Sequence, residues 1–347
     1  MRRPLRIVTL LLVATLLLAA CGGGTAGSGS ASGSDAGSGS GASSGPESGA
    51  AKTTVTVAVL DDASRESVLW ALKNGKVTSD TVEVQVDMLP FAAIMEAFGS
   101  QAYDVVEASP VAVPRALQGG LELLIFSPGL FNFAGTGLYV GADSGIDDPR
   151  DLAGETIGTF ALGGFFVSET RYVLQEVYGL NTAMTGGDVS FRELPPQNVL
   201  EMLKDGSLAA GILNQQGRYL VRNSPDYREL VDVTGEFQRL TGQPSMNSVL
   251  LTYPAVAAGK GDALREVARM LRESAQYVKD HPDEVLPAVA AARGEDVGYL
   301  EWFFQSYDLT FGGEPLEYAD AINVTWEAAH AIGDIDQVPD LDQLAFR

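Results

Sequence analysis

The chain has 347 residues, 46% of them hydrophobic, with 23 Lys and Arg against 45 Asp and Glu and a formal net charge of −22. That length can bury one or two sizeable cores, while a single cysteine excludes an internal disulfide and paired-cysteine zinc sites, and two histidines, His281 and His330, are too few for an imidazole metal cage. The acidic surplus, with no basic stripe after the first six residues, argues against nucleic acid as a partner and against adhesion to anionic lipid by charge.

Arg2, Arg3 and Arg6 precede an apolar stretch from Ile7 to Leu18 that ends in Ala19 and Ala20, the pattern of a signal sequence. Leu18-Ala19-Ala20-Cys21 resembles the bacterial lipobox, which implies a signal peptide over residues 1–20 and a lipid on Cys21, the first residue of the mature chain; an ordinary secretory peptide with an incidental cysteine is the plainer alternative. Residues 22–51 include 11 Gly and 9 Ser, with no aromatic and no Leu, Ile or Val to seed a core. Such a coil is a flexible tether with an r.m.s. reach of roughly 30 Å, so a globular body would work beside a membrane partner.

From Lys52 onward short β-branched runs alternate with amphipathic segments, the grammar of an α/β protein. The pattern predicts strands over Thr53 to Leu60, Thr81 to Met88, Asp104 to Ala108 and Leu121 to Phe126, interleaved with helices over Ser64 to Asn74, Phe91 to Phe98 and from near Pro110 to Gly119-Gly120. These units predict a first parallel sheet. After the turn at Asp147-Asp148-Pro149 the grammar repeats: strands over Glu155 to Thr159, Val189 to Leu194, Ala209 to Leu213 and Glu229 to Val233, and helices over Phe166 to Tyr178, Gln197 to Lys204 and Gln215 to Arg222. Val249 to Thr252 reads as one more strand, and the rest as helical: one helix behind Asp262 as N-cap, and others with Pro282 and Pro315 in their first turns. Extended segments near Leu138 to Ala142 and Ser245 to Thr252 would join two lobes, lobe I from residues 52–141 and 247–347 and lobe II from 142–246. A cleft between them is the place for a small molecule.

Tyr103-Asp104-Val105-Val106-Glu107-Ala108-Ser109, Gly137-Leu138-Tyr139-Val140, Asp143-Ser144-Gly145-Ile146, Pro149 to Gly154 and Leu203 to Gly211, taken in order, resemble the type 2 periplasmic binding proteins, the solute-binding components of ABC importers. The branch is the one that binds nitrate, sulfonates and thiamine-precursor pyrimidines. The resemblance runs from about Thr53 to Val256 and leaves the C-terminal helices without a motif. It implies two Rossmann-like lobes joined by two crossings, a small-solute ligand, an ABC permease and its ATPase as partners, a monomer lipid-anchored on the extracytoplasmic face of the cell membrane, no catalysis, and neither cofactor nor metal. The strings around Tyr103 to Ser109 and Asp143 to Ile146 are also similar to dihydroxyphthalate decarboxylase-like proteins of the same fold, the enzyme alternative, whose chemistry would need a metal or electron sink that the sparse histidines do not supply. A structural or sensory lipoprotein that touches only protein partners is a third class, and it would not require paired lobes.

The candidate ligand contacts are the strand ends. Asp61 and Asp62 follow the first strand, where adjacent carboxylates at a helix start are ordinarily a cap, and Ser64 adds a hydroxyl. Glu107 ends a buried strand and must meet a partner or the ligand, because an unpaired buried carboxylate costs several kcal/mol. Ser109 lies just beyond it. In the second lobe Phe160 and Phe165 would stack on a ring, with Gly163 and Gly164 allowing close backbone approach; the plainer reading makes the aromatics core and the glycines a turn. Asn214 and Gln215 end another strand, and Met246 and Asn247 sit at the second crossing. Both histidines read as surface residues. No Arg or Lys stands at these strand ends, which leans toward a neutral or cationic ligand with a ring.

Overall fold

The computed structural model describes residues 51–130, 135–307 and 312–347, within the unit Ala50–Arg347. The signal segment, Cys21 and the tether up to residue 50 lie outside the described residues. Strand β1 (Thr53–Leu60) leads to helix α1 (Ala63–Lys73), and β2 (Val82–Leu89), α2 (Phe91–Ser100), β3 (Val105–Ala108), α3 (Ala112–Gln118) and β4 (Leu124–Pro128) follow. Then come β5 (Gly137–Gly141), β6 (Thr156–Thr159), α4 (Phe165–Tyr178), β7 (Ser190–Glu193), α5 (Pro196–Lys204), β8 (Ala210–Leu213), α6 (Gln215–Val221), β9 (Tyr227–Asp232) and α7 (Val233–Thr241). The chain closes with β10 (Val249–Thr252), α8 (Pro254–Asp280), α9 (Pro282–Arg293), α10 (Val297–Ser306), α11 (Ala319–Ala331) and α12 (Leu341–Leu344).

The strands form two five-stranded sheets with one recurring plan, β2-β1-β3-β10-β4 and β7-β6-β8-β5-β9. In each, the fourth position is held by an antiparallel strand: β10 runs against β3 and β4, and β5 runs against β8 and β9. The wholly parallel first sheet expected from the sequence is therefore corrected to a mixed one. The segment near Leu138 to Ala142, expected as a crossing, is mostly strand β5 of the second sheet, and Val249–Thr252 is inserted in the first. The crossings lie just before each, so every time the chain changes sheets its first strand enters antiparallel. Periodicity could not reveal this, because a strand covered on both faces reads as one apolar run in either direction; β5 and β10 are buried at every residue.

Both faces of the first sheet are covered. Val55, Val57 and Val59 of β1 pack with Leu264 and Leu271 of α8 and Phe303 of α10, while Ala58 lies with Val106, Ile125, Phe98 and Trp326 on the other side. The Trp326 indole of α11 donates to the Pro110 carbonyl at 2.9 Å. The second sheet packs Leu138, Ile157 and Ile212 against Val173 and Leu174 of α4 and Phe237 of α7, and Tyr139 and Leu213 against Val199 and Leu203 of α5. Helix α11 reaches both halves: Ala328 joins the second core and Trp326 the first. Just beyond it Asp334 pairs with Arg171 of α4 and, at 3.3 Å, with Arg115 of α3.

Two helix expectations need correction. Helix α8 starts at Pro254, well before Asp262, and breaks only at Lys260 (φ −130°, ψ 23°), whose ammonium donates to the Thr54 carbonyl at 2.9 Å and the Asp104 carboxylate at 2.8 Å. Asp262 is an exposed partner of Arg265. Helix α7 was absent from the expectation, although Val233 and Phe237, one turn apart and buried, are its signal.

Candidate functional site

The carboxyl ends of β1, β3, β6 and β8 converge on a cavity of about 480 Å³, the place a parallel α/β arrangement reserves for ligands. Of the sequence candidates, Asp61, Asp62, Glu107, Ser109, Phe160, Gly164, Phe165, Asn214, Gln215 and Asn247 line it. Ser64 and Gly163 do not. The Ser64 side chain is buried, its hydroxyl 3.1 Å from that of Tyr299, and Gly163 faces open space on the surface. Met246 is fully buried in the first-sheet core beneath Asn247.

The first wall is organised by an arginine. The Asp62 carboxylate caps α1, accepting the Arg65 N–H at 2.8 Å, and pairs with the Arg65 guanidinium. That guanidinium also donates to both Glu107 oxygens, Nε at 2.7 and 2.9 Å and Nη2 at 2.7 Å, and Glu107 accepts the Leu60 N–H at 3.0 Å. Burial works to raise the Glu107 carboxyl, but the Arg65 charge and hydrogen bonds overcome it and hold the group below the usual carboxylate range. Glu107 therefore has its partner within the protein, as does Asp62. Asp61 is likewise taken, by Arg293 at the end of α9, 2.7 Å away. The expectation that no basic residue stands at these strand ends is corrected: Arg65 and Arg293 both line the cavity, each facing carboxylates. The signal for Arg65 was its place three residues after a capping Asp; Arg293 is remote in sequence and left none.

The opposite wall is aromatic. Phe160 and Phe165 are half-buried around the buried Phe166, with ring centroids 4.5 and 5.5 Å from it. The glycine at 164 is required by this packing, since a Cβ there would stand 2.3 Å from the Phe166 ring. Asn214 caps α6 by accepting the Gly217 N–H at 3.1 Å, and Gln215 and Gln216 extend the amide row. The crossings supply Thr136, Asn247 and Ser248. The C-terminal helices, silent in sequence, bring Arg293, Glu295 and Tyr299. Ser109 Oγ is buried without a protein partner among the described residues, an unmet donor and acceptor at the cavity edge.

A second buried carboxylate lies beside the crossings. Glu169 of α4 accepts Ser245 Oγ at 2.6 Å and Thr234 Oγ1 at 3.2 Å, and its other oxygen has no partner among the described residues. Thr234 Oγ1 in turn accepts the Thr136 N–H at 2.8 Å, so one carboxyl is linked to the segments that carry both crossings. Burial pushes its carboxyl up to about 7, against the pull of the hydroxyls.

Among the described residues no group of three or more His, Cys, Asp and Glu is placed to hold a metal ion, and no helix is long and apolar enough to cross a membrane. His281 and His330 are exposed.

A family model described as menaquinone biosynthesis matches residues 168–319, which takes in helices α8 to α10. No curated protein sequence matches the chain. Similar solved structures include the periplasmic aliphatic sulphonate binding protein of Escherichia coli (14% identity, 85% of this chain and 92% of that one, TM-score 0.65) and the alkanesulfonate-binding protein of Xanthomonas axonopodis pv. citri bound to MOPS (15%, 84% and 96%, TM-score 0.62). A protein of Archaeoglobus fulgidus is similar at 19% identity over 81% of this chain and 98% of that one, with a TM-score of 0.61. At these identities the likeness establishes the fold, that of the periplasmic binding proteins.

Proposed function

We propose that the protein captures a small solute between its two sheets and delivers it to an ABC permease, working as a lipoprotein tethered by Cys21 on the extracytoplasmic face. The observation that carries this reading is the cavity itself: it is built from four strand ends of two sheets with the same strand plan, and two crossings join those sheets. Closure would bring the Asp61 to Ser109 wall toward the Phe160 to Gln215 wall. Native mass spectrometry of the purified protein is the direct test; a bound small molecule released unchanged supports capture, and a molecule converted during incubation overturns it. The structures similar to this one include sulfonate-binding proteins, which favours a binding role. The lipid anchor has its own test: Cys21→Ala should release the protein from membranes with ligand binding unchanged, and retention of that variant would refute the anchor.

One finding favours a second reading. The matching family model is named for menaquinone biosynthesis, so an enzyme that acts on the molecule in this cavity is the alternative. Turnover of aromatic acids by the pure protein would decide for it.

A further inference from the structure

We infer that the cavity selects an uncharged or cationic molecule built on a flat apolar ring system and discriminates against small anions such as alkylsulfonates. The inference rests on the capture reading and adds the ligand class to it.

The charges decide the sign. Two guanidiniums line the cavity, Arg65 and Arg293, against four carboxylates, Asp61, Asp62, Glu107 and Glu295. Arg65 is engaged by Asp62 and Glu107, and Arg293 by Asp61 at 2.7 Å with Glu66 3.9 Å away, its buried Nε having no hydrogen-bond partner among the described residues. A sulfonate entering here would compete with Asp61, Asp62 and Glu107 for those donors other than Arg293 Nε, inside a wall of net negative charge. The short segments at residues 131–134 and 308–311 contain no Lys or Arg, so the sequence adds no cation from them. Of the helix starts at the cavity, α1 is capped by Asp62 and α6 by Asn214, whereas α2, α4 and α5 begin there without a side-chain cap.

The shape points to a ring. Exposed apolar side chains carry information where they gather in one place: Phe91 is 36% exposed, Met95 40% and Leu220 62%, and all three line this cavity. Phe91 and Met95 come from α2 beside the first sheet, Leu220 from α6 beside the second. With Phe160 and Phe165 they offer apolar surface on both sides of one space, the arrangement that buries the two faces of a planar molecule. Ser109 Oγ and the amides of Gln215 and Asn247 remain for a neutral polar substituent.

The test uses the full-length chain in detergent and four probes read by calorimetry: 1-naphthylmethanol, 1-naphthylmethylammonium, 1-naphthalenesulfonate and ethanesulfonate. The first two should bind at least about tenfold more tightly than the naphthalenesulfonate, with ethanesulfonate weakest. Leu220→Lys, at an exposed cavity position, should reverse the order of ammonium and sulfonate; an unchanged order would mean that the probes sit elsewhere and would overturn the inference. Sulfonates binding as tightly as the neutral probe would overturn the ligand class while leaving capture intact. No binding by any probe, together with no small molecule in native mass spectra, would sink both.

Discussion

The two deeply buried glutamates, Glu107 and Glu169, are 4% and 3% exposed, and their carboxyl groups shift in opposite directions. Glu107 ends β3 in the first sheet with Arg65 within 2.9 Å and a backbone N–H on one oxygen. Glu169 lies near the crossings with two hydroxyls on one oxygen and, in place of a cation, the charge of Asp232, which pushes the same way as burial. Burial penalises the charge of both; at Glu107 the Arg65 cation and its hydrogen bonds outweigh the penalty, whereas at Glu169 the hydroxyls do not. At the cavity wall Glu107 is thereby held ionised, while the joint between the sheets keeps a carboxyl that titrates near neutral pH.

The largest expected effect breaks the first half of that comparison. Arg65→Met leaves Glu107 buried without its cation and should cost about 3–5 kcal/mol in denaturant unfolding at pH 7. The double variant Arg65→Met with Glu107→Met, which removes both charges, should recover much of that loss. A single variant as stable as the wild type would mean that the pair does not hold this wall.

The same pair marks how far the sequence could be read. The α/β alternation was legible because each element carries its own period: β1 lies where the run of TTVTVAVL places it, and Val249 to Thr252 is a strand as expected. The antiparallel insertion of β5 and β10 was not, because direction leaves no mark on a fully buried run. At the site, the loops after strands could be named from turn chemistry, and ten of the twelve ligand-contact candidates line the cavity. Their partners were hidden. Arg293 comes from the end of α9 to meet Asp61, a contact between residues far apart in the chain, and only the fold brings them together.

The next effect concerns Glu169 and runs with pH. The folded protein holds its proton up to about pH 7, whereas an unfolded chain releases it near 4.5, so the folded state binds more protons over that window. Its contribution to stability therefore falls as pH rises from about 4.5 to 7, by about 3 kcal/mol in all, and stays lost above. Glu169→Gln should flatten this part of the profile, measured by urea unfolding from pH 4.5 to 8.5. A wild-type slope that persists in the variant would assign the titration to other groups.

The smallest effect sharpens the comparison at a single hydroxyl. Ser245 Oγ donates to Glu169 at 2.6 Å, and a bond to a charged acceptor contributes about 1.5–3 kcal/mol where one to a neutral acceptor contributes about 0.5–1.5. Ser245→Ala should therefore cost more at pH 8, where the carboxylate is charged, than at pH 5, where it holds its proton. The difference between the two losses should be about 1 kcal/mol. In a Glu169→Gln background the acceptor is neutral at every pH, and the Ser245→Ala loss should no longer depend on pH. Because Ser245 belongs to the segment leading into β10, that residual coupling would also measure how strongly the state of one buried carboxyl is felt where the chain passes from the second sheet back to the first.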